Sequence, residues 1–156
     1  MANPLTLFVP IQQTVGAQAA AQFAYDNFVK NVQAGLDESN IVHYARLALI
    51  PNASGEGTYA ILLITTFDGP MDPYLGFFWK NPSTQQAFAG IAAIALNPPS
   101  PPVTDLTGFE NFINDNNLNK SASPGVSSDL YQAYSQTVKE IKQAYPHKTV
   151  LPKHAK

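Results

Sequence analysis

The sequence contains no cysteine at all among its 156 residues. A disulfide framework, a thiolate metal site and a cysteine nucleophile all need that sulfur, so the composition excludes all three. A chain without cysteine is compatible with a reducing compartment, and we expect a cytoplasmic protein.

Charge of either sign is scarce as well. Charged residues make up 13% of the chain, and nine Lys and Arg stand against eleven Asp and Glu, which gives a net charge of -2. Such a chain has no basic surface to neutralise a phosphate backbone, so we expect no nucleic-acid partner. The N-terminal stretch MANPLTLFVPIQQ lacks the basic and cleavage regions of a signal peptide, and no apolar run is long enough to span a bilayer. We therefore expect a soluble protein without membrane contact.

Apolar and aromatic residues, in contrast, are sufficient for a core. They amount to 45% and 11% of the chain, and this length is typical of one domain. We predict a single domain over residues 1–146 and a flexible polar tail over residues 147–156. The proline-rich stretch NPPSPPV at 97–103 is interpreted as a stiff connection within that domain.

The spacing of apolar residues predicts an alternation of strands and helices. Period-two runs at 5–11, 41–50 and 59–69 indicate strands, and the last two are expected to form an antiparallel hairpin. Periods of three and four residues predict helices at about 17–36, 84–96 and 107–118. The segment at 129–135 fits a strand or a helix. We favour a strand, followed by a helix that a capping box of Thr137 and Glu140 opens.

The resulting order β-α-β-β-α-β predicts an α+β fold. It corresponds to a ferredoxin-like antiparallel sheet with its helices on one face and extra C-terminal helices. The second and third strands are apolar on both faces, whereas a sheet with one wet face alternates apolar and polar residues. We therefore expect a second copy to cover the other face in a homodimer.

These stretches resemble a known superfamily, the ferredoxin-like dimeric α/β-barrel proteins. IVHYARLALIP and AILLITTFDGPMDPYL are similar to segments of small proteins related to dye-decolourising peroxidases, and LYQAYSQTVKEI is similar to their closing segment. The resemblance covers residues 41–75 and 109–141 and implies a dimeric α/β barrel. The haem-binding motifs of those peroxidases are not matched, so their activity is not carried over.

The strand IVHYARLALIPN contains the most conspicuous polar candidates, His43, Tyr44 and Arg46. Side chains alternate along a regular strand, so His43 and Arg46 are expected on opposite faces unless a bulge intervenes. Arg46 either pairs within the protein or anchors an anionic ligand. Asp68 ends the third strand and should lie near His43, where it would orient the imidazole or cap the next helix.

The remaining candidates are aromatic residues and histidines. Tyr44, Tyr74 and the run FFW at 77–79 either line a pocket or form plain core. His147 and His154 lack the spacing of a metal site, and we expect no metal.

Three functions remain open. The first is a homodimeric module that binds a small apolar or anionic ligand in a pocket between sheet and helices. Its contacts would be His43, Tyr44, Arg46, Asp68 and Tyr74. The second is an oxidoreductase-like enzyme, peroxidase- or monooxygenase-related, in which His43 and Asp68 transfer protons or His43 binds haem iron; the cofactor stays unknown. The third is a structural accessory protein, in which aromatic side chains fill the pocket.

Overall fold

The computed structural model describes residues 2–119 and 130–145. The elements in chain order are β1 (Ala2–Pro10), α1 (Val15–Ser39), β2 (Val42–Pro51), β3 (Thr58–Asp68), α2 (Met71–Trp79), α3 (Pro82–Ile94), α4 (Leu106–Asn116) and α5 (Val138–Ala144). The predicted α+β class is confirmed by this mixture of strands and helices.

The three strands form one antiparallel sheet in the order β1-β3-β2. Strand β3 pairs with β1 on one side and with β2 on the other, and the predicted β2–β3 hairpin is confirmed. Because both partners are antiparallel to β3, β1 and β2 run parallel to each other. Helix α1 therefore crosses from one edge of the sheet to the other and lies over β2.

Side-chain caps define where the long helices begin. Helix α1 begins after Thr14, whose hydroxyl accepts from the N–H of Ala17, and it ends at Asn40 with a φ of 53°. Helix α3 begins after Asn81, whose side chain accepts from the N–H groups of Ser83 and Thr84. Such caps satisfy backbone groups that have no partner inside the helix. They position the two helices that flank a groove of about 640 Å³.

The core lies between one face of the sheet and helices α1 to α4. The register aligns Leu7, Leu63 and Leu47 across the three strands, and all three side chains are buried. Burying each such side chain stabilises the fold by roughly 1.5–3 kcal/mol. Aromatic residues complete this layer, namely Phe67, Tyr74, Phe78, Phe88 and Phe109.

The opposite face of the sheet is apolar but only partly buried. Positions that alternate with the core residues place Phe8, Leu62 and Ala48 in one row and Thr6, Ile64 and Arg46 in the next. Ile64 retains 39% of its accessible surface. We call this surface the open face. That a second copy of the chain packs on this face remains a prediction.

The strand predicted at 129–135 is wrong over the described residues of that segment, since 130–137 form neither strand nor helix. The outer edge of β1, where a fourth strand would pair, is already satisfied at Thr6. Its N–H donates to the side chain of Asn117, and its carbonyl accepts from the N–H of Leu118. A fourth strand would have to displace these two contacts at the middle of β1. The predicted tail at 147–156 lies outside the described residues.

The predicted capping box is confirmed. Thr137 accepts from the N–H of Glu140, and the Glu140 carboxylate accepts from the N–H of Thr137. The N–H and the hydroxyl of Thr137 both donate to the ionised carboxylate of Glu140 and lower its pKa. The box therefore fixes the start of α5.

Among the described residues, no helix combines the length and hydropathy needed to cross a membrane.

Replacing Leu63 with alanine should lower the free energy of unfolding by about 2–5 kcal/mol, because the central strand loses a core side chain and leaves a cavity. Leu96→Ala is the matched control, since Leu96 retains 53% of its accessible surface and Leu63 only 3%. Urea titrations of the two variants measure the difference. Equal losses would contradict the described register.

Candidate functional site

The His43 imidazole and the Asp68 carboxylate are in direct contact at the end of the sheet. His43 Nε2 lies 3.0 Å from Asp68 Oδ1, and the two side chains retain 12% and 13% of their accessible surface. A register shift between Val42 and Tyr44 marks a β-bulge at His43. The expectation that the hairpin brings Asp68 to His43 is confirmed.

Asp68 does not cap helix α2, one of the two roles considered for it. The N-cap position of α2 is Pro70, which makes no side-chain cap. The second carboxylate oxygen of Asp68 instead accepts from the N–H of Val138, at 2.7 Å. Asp68 thus ties the end of β3 to the start of β2 and to the start of α5.

Tyr44 and Arg46 lie on the open face, away from this pair. The register places them opposite Thr66 and Ile64, and Tyr44 retains 79% of its accessible surface. Arg46 is exposed and has no ion-pair partner among the described residues. A structural pairing of Arg46 is therefore absent from this part of the chain.

Tyr74 belongs to the core on the helix side of the sheet. Its ring stacks on Phe67 with centroids 3.9 Å apart, and its hydroxyl lies 2.9 Å from the hydroxyl of Thr65. Burial raises the pKa of Tyr74 to about 12, against the opposing effect of the hydrogen bond with Thr65. The five candidate residues thus occupy three separate places, and of them only His43 and Tyr44 line a common depression.

The space directly between sheet and helices is filled. The cavity beside Tyr74, Phe78, Phe88 and Phe109 has a volume of about 30 Å³. This is room for a single water molecule and too little for an organic ligand. Aromatic side chains therefore occupy the place where the sequence predicted a pocket around Tyr74.

A larger space lies between α1 and α3, with Leu47 of β2 among its lining residues. It is a groove of about 640 Å³, and we call it the α1–α3 groove. Its residues recur every three or four positions along both helices and are mostly small or apolar, namely Ala19, Ala20, Phe23, Ala24, Phe28, Asn31 and Val32 of α1 and Ser83, Gln86, Ala87, Gly90, Ile91 and Ile94 of α3. Where alanine and glycine face each other, short side chains leave the gap open.

The periodicity of the sequence alone did not indicate this groove. The signal that points to it is a pair of runs rich in small residues, AQAAAQFA at 17–24 and AFAGIAAIA at 87–95. Each run fits an ordinary helix face by its periodicity. Only the pairing of α1 with α3 turns the two runs into facing walls.

Comparison with known proteins found no matching family model, no matching curated protein and no matching solved structure. The resemblance to relatives of dye-decolourising peroxidases therefore stays a prediction. Within residues 2–119 and 130–145, no group of three or more His, Asp or Glu side chains is arranged to hold a metal ion.

Alkaline pH should destabilise the protein through Tyr74. Its folded-state pKa is raised, so its contribution is complete below the unfolded pKa of about 10 and is lost as the pH rises towards 12. A shift of about two units corresponds to roughly 3 kcal/mol. Urea titrations between pH 8 and pH 11.5 measure the decrease in the free energy of unfolding.

Tyr74→Phe should remove this part of the alkaline loss, at a cost of about 1 kcal/mol at neutral pH for the hydrogen bond with Thr65. Tyr44→Phe is the control, because it removes a tyrosine hydroxyl from an exposed side chain, which retains 79% of its accessible surface. If Tyr74→Phe keeps the full pH dependence of the parent, the assignment to Tyr74 is wrong.

Proposed function

We propose that this protein binds a small, neutral, mainly apolar molecule in the α1–α3 groove. The observation that carries the proposal is the groove itself, about 640 Å³ of space lined without a single charged side chain. Ligand pockets in proteins typically measure 300–1,000 Å³ and are lined mostly by apolar groups. The groove matches both properties.

The lining favours a neutral ligand over an anionic one. Asn31, Ser83 and Gln86 supply the polar groups, and an anion would have to leave water without a Lys or Arg to compensate. The side-chain amides of Asn31 and Gln86 and the hydroxyl of Ser83 can hydrogen-bond to a ligand that carries one or two polar groups, such as a hydroxyl or a carbonyl. Of the two ligand types predicted from the sequence, apolar and anionic, the lining of the groove favours the apolar one.

Phe23 supports the same interpretation. It lines the groove, yet it retains 66% of its accessible surface. An aromatic side chain so exposed at the edge of an apolar groove gains stabilisation when a ligand covers it. Phe28 and Ile91 provide further apolar surface within the groove.

Gly90→Leu tests the groove directly. A Cβ at Gly90 meets no atom within 4 Å, so a leucine there fills the groove without a backbone clash. We expect the native protein to bind the neutral dye Nile red saturably at one site, and Gly90→Leu to weaken that binding about tenfold or more. Fluorescence titration measures the dissociation constant.

Gly76→Leu is the matched control for this experiment. Gly76 lies within α2, outside the groove, and a Cβ there also meets no atom within 4 Å. Both variants replace a helical glycine and gain about 1 kcal/mol of helix propensity, so stability effects are similar. Absence of saturable binding to the native protein, or equal weakening in both variants, would refute the proposed function.

We propose in addition that the open face pairs with a second copy of the chain. The order β1-β3-β2, with α1 between β1 and β2, is what a ferredoxin-like arrangement requires of its first three strands. Apolar side chains on this face, Phe8, Ile50, Leu62 and Ile64, are only partly buried. A two-fold partner would bury them and would also have to neutralise Arg46.

Ile64→Arg should convert the proposed dimer into monomers, because it places a charge at the centre of the open face. Ile141→Arg is the control: Ile141 lies on α5 and retains 40% of its accessible surface, against 39% for Ile64. Sedimentation velocity over a range of concentrations measures the assembly. A native chain that stays monomeric at high concentration contradicts the dimer.

A further inference from the structure

The bulge in β2 sets His43 apart from the strand ladder. The register passes from Val42 opposite Phe67 to Tyr44 opposite Thr66, so His43 is the extra residue. Strand β2 is an edge strand of the sheet. At the bulge the imidazole points towards the end of β3, where it contacts Asp68. Bulges commonly re-aim a side chain in this way next to functional sites.

The Asp68 carboxylate determines which ring nitrogen of His43 carries the proton. An ionised carboxylate only accepts hydrogen bonds, so the Nε2 that lies 3.0 Å from Oδ1 must be the donor. In the neutral imidazole this leaves Nδ1 with an available lone pair. No group among the described residues donates to Nδ1.

Two further hydrogen bonds hold the carboxylate in place. Its Oδ2 accepts from the N–H of Val138 at 2.7 Å, and the backbone N–H of Asp68 donates to the carbonyl of Ile41 at 2.7 Å. Both oxygens and the backbone of Asp68 are thus fixed by two segments, residues 41–43 at the start of β2 and Val138 at the start of α5. This is the orienting partner that a general base requires.

A small molecule has access to His43. The imidazole lines an open depression of about 300 Å³ between α1 and the start of β2, together with Tyr44, Val29, Asp37 and Lys142. The ammonium of Lys142 donates to the carbonyl of Asp37 at 3.0 Å and to the side chain of Asn40 at 2.7 Å. A fixed cation therefore lies at the same depression as the imidazole.

We propose that His43 is a general base for a small carbon or oxygen acid that enters this depression, with Asp68 as its positioning residue. His43 Nδ1 takes the proton, and the electron pair of the broken bond stays on the substrate as an anion. Lys142 provides positive charge for that anion. The depression shares Phe28 and Val32 with the α1–α3 groove, but neither His43 nor Lys142 lines that groove, so the two proposals are tested at different residues.

A neutral nitrobenzisoxazole serves as the probe of base strength. His43 removes the ring C–H proton, the electron pair of that bond forms the nitrile, and the N–O bond breaks with its electrons on the phenolate oxygen. We expect His43→Gln to lower kcat/KM at least tenfold, since positioned bases contribute about 10²–10⁴ to rates. The control replaces the other two histidines, His147→Gln with His154→Gln, and should retain the native rate.

The ¹⁵N resonances of the His43 ring supply a second test, whose first part uses the native protein alone. We expect the Nε2–H tautomer in the native protein and a shift towards Nδ1–H, with at least a threefold slower reaction, in Asp68→Asn. A tautomer that is unchanged in Asp68→Asn removes the positioning role. A native Nδ1–H tautomer, or equal rates for the native protein and His43→Gln, overturns the proposal.

Discussion

The hydrogen-bonded pairing of β3 with both of its neighbours is the constraint on which the rest of the structure depends. Its register decides which residues of all three strands face the helices, because side chains alternate and a shift of one residue would reverse the faces. Leu63 thereby enters the core, and its neighbour Ile64 lies on the open face. The same pairing brings the end of β3 next to the start of β2, where Asp68 meets His43.

Packing against this sheet explains where space for a ligand is left. Large aromatic side chains, Phe67 and Phe109 among them, are fully buried and close the layer between sheet and helices. Close packing of that kind excludes molecules larger than water. Alanine and glycine on α1 and α3 have too little volume to close the gap between those two helices, and the groove results. Space for a ligand is therefore left where the side chains are small, between α1 and α3, and not where they are large, between the sheet and the helices.

Polar groups near the sheet divide according to their surroundings. Tyr74 is buried and keeps its proton to high pH, with Thr65 as its hydrogen-bond partner. His43 and Asp68 are only partly buried and pair with each other at the end of the sheet. Arg46 remains exposed on the open face, as its charge demands when no carboxylate is near. Because Tyr74, the His43–Asp68 pair and Arg46 lie apart, they do not act together in one site.

Local patterns in the sequence by themselves determined the three strands, helices α1, α3, α4 and α5, the hairpin, the capping box at Thr137 and the proximity of His43 to Asp68. Each of these depends on residues close in the chain or on one pairing. Only the tertiary structure decided that the segment at 130–137 forms no strand, since Asn117 and Leu118 already satisfy the edge of β1 at Thr6. It also decided that Tyr74 is core and that two alanine-rich helices face each other across a groove. The distance between α1 and α3, and the contact of Asn117 and Leu118 with the edge of β1, depend on the packing of residues far apart in sequence. No periodicity within one segment encodes those quantities.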